Sequence, residues 1–367
     1  MGCHEAAKPA TLVTICSPMG KLSANPDRNR DPIAVSQGEN RLQSDSATLG
    51  EVRAALLGWY ARHKRPLPWR QDCDAYRVWV SEIMLQQTRV AAVLEHYRVF
   101  LDAFPTIEAL AAAPEERVLA LWSGLGYYRR ARMLHRAARS VVAELGGVIP
   151  REVDSLRKLP GVGRYTAAAI ASIAYGEPCA VVDGNVERVL TRMDGAPRDD
   201  GSAWKRAQEL LDPRQPGDWN QAMMELGATV CTPQNPQCLV CPTHAWCVAP
   251  GAETARPAAA RKRVRMTRAL IEHNNRVFLV QRSTGERKMA AMWELPEIED
   301  QLADRNQLFA VRHSITDTDY EVRVVSLALK SLGANRKKAG RWVSREQIWE
   351  LPLTGLTRKI LRKHEPQ

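Results

Sequence analysis

Apolar positions recur at helical spacing through most of the chain up to about residue 250. Helical patterning starts near Glu51 with EVRAALLGWYARH and breaks at LPWR, residues 67–70. It resumes as one long helix over about Ala75–Phe100, followed by helices over about Ile107–Ala113, Glu115–Ser123 and Tyr128–Glu144. Pro105, Pro114 and Pro150 punctuate the helix ends. Strand-like runs are scarce in this region, which is predicted to be all-α. The period then changes. TRALIEHNNRVFLVQR holds two β-rich runs around Asn274-Asn275, a hairpin signal. VRHSITDTDYEVRVVSLAL predicts a second strand pair, Trp342-Val343 a short strand, and 345–365 helices. The pattern predicts a multidomain chain: a disordered tail at 1–48, an all-α domain at 49–248, a basic linker at 249–266 and a small α+β domain at 267–367.

Composition adds a partner class. The 367 residues are 45% hydrophobic, ample for packed cores, and carry a net charge of +11. That balance favours an anionic partner, nucleic acid first. No apolar run reaches the roughly eighteen residues of a membrane span, and the first twenty residues lack a secretory pattern. A cytoplasmic monomer is expected, nucleoid-associated in a bacterium, with no membrane partner.

The stretch LPGVGRYTAAAIASIAYGEPCAVVDGNVERVL, Leu159 to Leu190, reads as helix, glycine hairpin, helix, loop and a further helix begun by an aspartate. Gly161 and Gly163 allow a sharp turn whose N–H groups, beside a helix N-terminus, can grip a phosphate. Asp183 adds a carboxylate near the gripped strand. Of the eight cysteines, Cys3, Cys16, Cys73 and Cys179 are scattered, whereas Cys231, Cys238, Cys241 and Cys247 share one segment. In a reducing compartment such a cluster binds metal rather than forming disulfides. Four thiolates can hold a [4Fe–4S] cluster or a structural zinc. A single close pair, where zinc ribbons bring two, leans towards iron–sulfur. The cluster needs no redox role; it can staple a loop beside basic groups such as Arg261 to Arg265.

LPGVGRYTA followed by VVDGNV, with this cysteine spacing, resembles the helix-hairpin-helix DNA glycosylases of the endonuclease III superfamily. LPWR, VSEIMLQQTRV (80–90), WSGLGYYRRARML (122–134) and MELGATVC (224–231) narrow the resemblance to the MutY-type adenine DNA glycosylases. The similarity runs from about 51 to 248 and continues more weakly into a region that looks like that family's Nudix-like (MutT-like) mispair-recognition domain. It implies base excision repair: flipping adenine out of double-stranded DNA opposite 8-oxoguanine or guanine and cutting its N-glycosidic bond, with a [4Fe–4S] cluster on Cys231, Cys238, Cys241 and Cys247.

That reaction needs a protonated leaving base and a stabilised oxocarbenium sugar, hence two carboxylates in opposite protonation states. Glu82 stands beside apolar Ile83, Met84 and Leu85, which would raise its pKa. By resemblance it protonates adenine N7 and then activates water. Asp183 reads as a helix cap, held ionised by capping donors, to stabilise the sugar cation. Asn185 would position the water or the sugar. Tyr165 stands where bifunctional relatives carry a Schiff-base lysine, so a monofunctional enzyme that leaves an abasic site is expected. The resemblance places Gln86, Gln87 and Tyr127 as wedges in the base stack, and Trp69, Arg70 and Gln221 around the adenine.

The C-terminal region departs from its pattern. EIEDQLADRNQLF lacks the Arg-Glu and Glu-Glu pairs of a Nudix hydrolase, so pyrophosphatase activity is not expected. Where the family reads the opposite base with Phe-Ser-His, this chain has Ile315-Thr316-Asp317. Thr316 can keep the hydroxyl contact; ionised Asp317 cannot donate and repels DNA. Two other functions compete: a thymine-mismatch or oxidised-pyrimidine glycosylase, and a non-catalytic DNA-binding module with an iron–sulfur staple.

Overall fold

The computed structural model describes residues 46–252, 260–286, 289–299 and 306–365. Most of the expected tail, with Cys3 and Cys16, lies outside them, as does the middle of the expected linker. Helices follow in the order α1 (Ser46–His63), α2 (Ala75–Leu85), α3 (Val90–Ala103), α4 (Ile107–Ala112), α5 (Glu115–Trp122), α6 (Arg129–Leu145), α7 (Val153–Leu156), α8 (Arg164–Tyr175), α9 (Gly184–Asp194), α10 (Asp200–Leu210) and α11 (Pro216–Thr229). Side-chain caps start several of them: Asp74 accepts from Arg77 N on α2 and Thr106 from Ala109 N on α4. Pro216, whose missing N–H costs nothing in a first turn, opens α11.

Two differences from the sequence pattern stand out here. Helix α1 begins at Ser46, so its first turn takes in the last residues assigned to the tail. The long helix over Ala75–Phe100 is two helices, α2 and α3. Gln87 between them has φ 55°, a left-handed conformation that ends α2 without glycine or proline. The carbonyls of Ile83, Met84 and Gln86, freed at the end of α2, accept instead from the Arg130 guanidinium on α6. Apolar periodicity runs through this break because it is so short.

The helices bury two apolar clusters. Trp79, Phe100, Trp122, Leu134 and Ile170 anchor the first, from α2, α3, α5, α6 and α8. Leu56, Leu190, Leu210, Trp219 and Leu226 anchor the second, from α1, α9, α10 and α11. Each such side chain contributes about 1.5–3 kcal/mol relative to exposure. Helix α8 packs on both α2 and α11, so it joins the two lobes.

Beyond the helices the chain is α+β. Its strands are β1 (Lys262–Leu270), β2 (Glu272–His273), β3 (Arg276–Gln281), β4 (Trp293–Glu294), β5 (Glu297–Ile298), β6 (Gln307–Ile315), β7 (Thr318–Ser326) and β8 (Gly340–Ser344), with helices α12 (Ala334–Lys338) and α13 (Gly355–His364). One sheet has the order β5-β1-β7-β6; the other runs β2-β3-β4, with β8 also on β3. Strand β1 pairs in parallel with β7, from Lys262 opposite Thr318 to Leu270 opposite Ser326. It therefore occupies the last part of the stretch assigned to the linker: alternating basic residues there are the exposed half of a paired strand. The β2–β3 hairpin turns at Asn274 (φ 48°) and Asn275 (φ 57°), the two left-handed residues that such a tight loop needs.

The two regions are bonded together. Ser123, at the end of α5, donates through Oγ to Leu353 O at 2.6 Å, and Tyr128 OH donates to the same carbonyl at 3.3 Å. Arg358 Nε on α13 donates to Ser123 Oγ at 3.1 Å, and Met292 joins the first apolar cluster. Among the described residues no helix is long and apolar enough to cross a membrane.

Candidate active site

Glu82 sits on the last turns of α2 and is buried. Tyr165, from the first turn of α8, donates its hydroxyl to Glu82 Oε2 at 2.7 Å and also lies 3.3 Å from Met224 Sδ of α11. Burial pushes the Glu82 carboxyl up to about 7, and the negative charge of Asp183 adds to it; the Tyr165 bond and the Arg70 cation oppose them. A carboxyl so poised holds a proton near neutral pH and can give it up. Burial first, then the neighbouring carboxylates, drive the Tyr165 phenol the same way, so it remains a donor.

Asp183 caps α9. Its Oδ1 accepts from Asn185 N at 2.9 Å and Val186 N at 2.8 Å, and its Oδ2 accepts from Asn185 Nδ2 at 2.9 Å. Asn185 is held in turn: Arg188 Nη2 donates to its Oδ1 at 2.8 Å. The same arginine reaches Cys231 O at 2.7 Å through Nε. Helix α11 comes so close that a Cβ at Gly227 would stand 2.6 Å from Asn185 Cβ, which is why glycine occupies that position.

A second ionic group lies near Glu82, and its central acid, Glu225, was not singled out from the sequence. Glu225 on α11 is buried and accepts from Arg65 Nε at 2.7 Å, Arg65 Nη2 at 2.8 Å and Arg70 Nη2 at 2.8 Å. Burial pushes its carboxyl up, but the two guanidinium groups outweigh burial and hold it at about 2. The available signal was an acid inside the apolar run AMMELGA. Arg70 is thereby fixed by Glu225 and lies over the Tyr60 ring, centroid distance 5.5 Å. Trp69 is packed edge-on against Tyr97 in the first cluster, and Gln221 is half-buried on α11.

Of the expected wedges, Gln86 Nε2 donates to Thr166 Oγ1 at 3.1 Å, while Gln87 is exposed. Tyr127 is exposed with φ 48°, another left-handed non-glycine. The hairpin glycines differ. Gly161 has φ 77°, and a Cβ there would stand 2.4 Å from Met133 Cβ. Gly163, with φ −87°, precedes α8 with open space beside it, so nothing in its backbone demands glycine. Thr316, at the β6–β7 tip, has φ 50°; its hydroxyl donates to Ile315 O at 2.8 Å and contacts Asp317 Oδ1 at 3.1 Å.

Cys231, Cys238, Cys241 and Cys247 line one cavity together with Val189, Arg192, Leu226 and Val230. Among the described residues no three His, Cys, Asp or Glu side chains form a group that could hold a metal ion. Arg192 is buried; its Nη1 lies 3.2 Å from Cys231 Sγ, and its other bonds go to the carbonyls of Thr232, Pro233 and Ala252. A buried cation beside the Cys231 thiol, in the cavity that all four cysteines line and with no carboxylate among these bonds, suits an anionic thiolate-ligated group in that space.

Residues 80–213 match the family described as HhH-GPD superfamily base excision DNA repair protein. The chain is 50% identical over 230 residues to the adenine DNA glycosylase of Homo sapiens, an alignment covering 59% of this chain and 42% of that protein. It is 44% identical over 194 residues to the adenine DNA glycosylase of Mycolicibacterium smegmatis, covering 51% of this chain and 66% of that one. The aligned part thus spans less than half the length of the human relative. Among solved structures, that of a thermostable thymine-DNA glycosylase superposes with a TM-score of 0.51 at 29% identity, covering 55% of this chain and 97% of that one.

Proposed function

We propose that this chain, which belongs to the HhH-GPD superfamily of base excision DNA repair proteins and within it to the MutY-type adenine DNA glycosylases, hydrolyses the N-glycosidic bond of adenine mispaired with 8-oxoguanine or guanine in double-stranded DNA. One observation carries the reading: a buried carboxyl, Glu82, poised at about 7 beside a second carboxylate, Asp183, that is fully engaged by helix donors. In this reading Glu82 protonates N7 of the flipped adenine as the bond to C1′ lengthens. Asp183 faces the growing positive charge of the sugar, and Asn185 keeps its carboxylate from turning away. Glu82, now ionised, takes a proton from the water that adds to C1′, and an abasic site remains.

The Arg65–Glu225–Arg70 group suits recognition of the base. Glu225 is enclosed and committed to its arginines, so it acts by fixing Arg70, whose guanidinium donors can serve the ring nitrogens of adenine. Tyr165 has no amine, so it cannot form a Schiff base with the sugar, and the reading is of a monofunctional enzyme. The four cysteines would hold a [4Fe–4S] cluster, which would supply a rigid staple for the loop whose carbonyls Arg188 and Arg192 also bind. The α+β region is read as a Nudix-like domain that meets the opposite base and lacks the hydrolase motif.

The likeness to a thymine-DNA glycosylase favours a second substrate, thymine opposite guanine. One assay separates them. Purified chain is incubated with duplexes holding A opposite 8-oxoguanine, A opposite G, T opposite G or thymine glycol, then treated with alkali. Strand scission at adenine is expected; its absence, with scission at thymine, would transfer the reading to the second substrate.

A further inference from the structure

Two left-handed turns, at Gln87 and at Tyr127, flank one guanidinium. Arg130, on the first turn of α6, donates through Nη1 to Ile83 O at 2.7 Å, Met84 O at 3.1 Å and Gln86 O, all at the end of α2. Its Nη2 reaches Thr88 Oγ1 in that same turn at 3.1 Å and, at the edge of hydrogen-bond range, Leu125 O at 3.5 Å and Gly126 O at 3.4 Å, just before Tyr127. The group lies over Tyr127, with a centroid distance of 5.2 Å, and over Trp122 at 5.6 Å. None of these partners is a carboxylate. Burial pulls the Arg130 pKa down to about 10, so it remains a cation at neutral pH without an acid to offset it.

Left-handed non-glycine residues persist where surrounding contacts over-determine them. Here one planar group with donors on two edges holds both turns at once. We propose that Arg130 is a positioning residue that locks the Gln86–Gln87 turn and the Tyr127 turn into a single unit, so that the two sides of the mispair are entered together. This rests on the reading above, in which those side chains penetrate the duplex. A lysine cannot replace the plane: its ammonium concentrates three donors at one point and reaches one turn or the other.

The test is a double-mutant cycle on the full chain. Gln86→Ala and Tyr127→Ala are made singly and together, and kcat/KM is measured on a duplex with A opposite 8-oxoguanine. With Arg130 present, the combined loss should fall at least about threefold short of the product of the single losses, since either change disables the shared unit. With Arg130→Lys, the losses should multiply to within about twofold. Should Arg130→Lys fail to give a cooperative thermal melt, Thr88→Val removes one acceptor without stranding the cation and must weaken the coupling in the same direction. Coupling that survives both changes, or losses that already multiply with Arg130 intact, overturns the proposal while leaving the function standing. A parent chain that releases no adenine overturns both.

Discussion

The helical region and the α+β region treat their polar groups in opposite ways. Around Glu82 the polar groups are buried or half-buried and locked by side-chain partners: Tyr165 on Glu82 and Glu225 with Arg65 and Arg70 across long stretches of sequence, and Asp183 with Asn185 and Arg188 within one helix start. At the β6–β7 tip Thr316, Asp317 and Thr318 are bonded to one another, and Thr316 and Asp317 are exposed. Bond breaking depends on electrostatics that burial amplifies, so a small change inside should cost orders of magnitude in rate. Contacts at an exposed tip are screened by water and salt, and changes there should cost factors of a few. The contrast can be attacked at each level.

The largest effect is expected at Glu82. Glu82→Gln keeps the shape but cannot hand over a proton and recover one from water. Single-turnover adenine release should fall by at least about a thousandfold, within the range for a lost general acid, while mispair binding in a gel-shift titration stays within about threefold. Turnover that survives would remove Glu82 from its role and dissolve the contrast. Next comes Glu225→Gln, which strands Arg70 in the interior. Removing one partner of a buried pair costs about 3–5 kcal/mol, and the partial exposure of Arg65 puts this case near the lower figure. Because the carboxyl is held at about 2, its stabilisation is present above the ordinary carboxylate pKa and is lost as pH falls towards 2. Melting curves of parent and variant should therefore converge on acidification; a constant gap would mean that the variant acts through packing alone.

The third test is a shift along the pH axis. Glu82 acts as an acid only while protonated, so single-turnover excision should decline as pH rises through about 7. The Tyr165 hydrogen bond favours the ionised form. Tyr165→Phe removes it, raises the Glu82 pKa further and should move the declining limb to higher pH. A limb that stays in place, or moves to lower pH, would mean that another group sets it.

What could be read from the chain follows the same divide. Glu82, Tyr165 and Asp183 lie in compact local motifs, and the Asn274-Asn275 turn announces its hairpin by residue type. The helix break at Gln86–Arg89 has no such marker, since its cause is Arg130 on another helix. Glu225 is silent for the same reason: its partners are 155 and 160 positions away. Strand β1 looks like a linker because its first half is basic and exposed; its parallel partner β7 begins only at Thr318, opposite Lys262, and leaves no local signal.

The smallest effect is expected at the tip, and it bears directly on what that region reads. Asp317 Oδ1 accepts from the hydroxyls of Thr316 and Thr318, at 3.1 and 3.0 Å. Asp317→Asn keeps an oxygen to accept those bonds and removes a charge that the proposed reading sets against DNA. Because the tip is exposed, folding stability should change by less than about 0.5 kcal/mol. Relief of repulsion should tighten binding about threefold, to duplexes with 8-oxoguanine and with guanine alike, and should fade with added salt. The ratio of kcat/KM between the two mispairs should then stay constant, because the Thr316 hydroxyl is already committed to Ile315 O and the neighbouring side chain. A changed ratio would show that the tip discriminates between bases, and the exposed region would then share in specificity that the contrast assigns to the buried one.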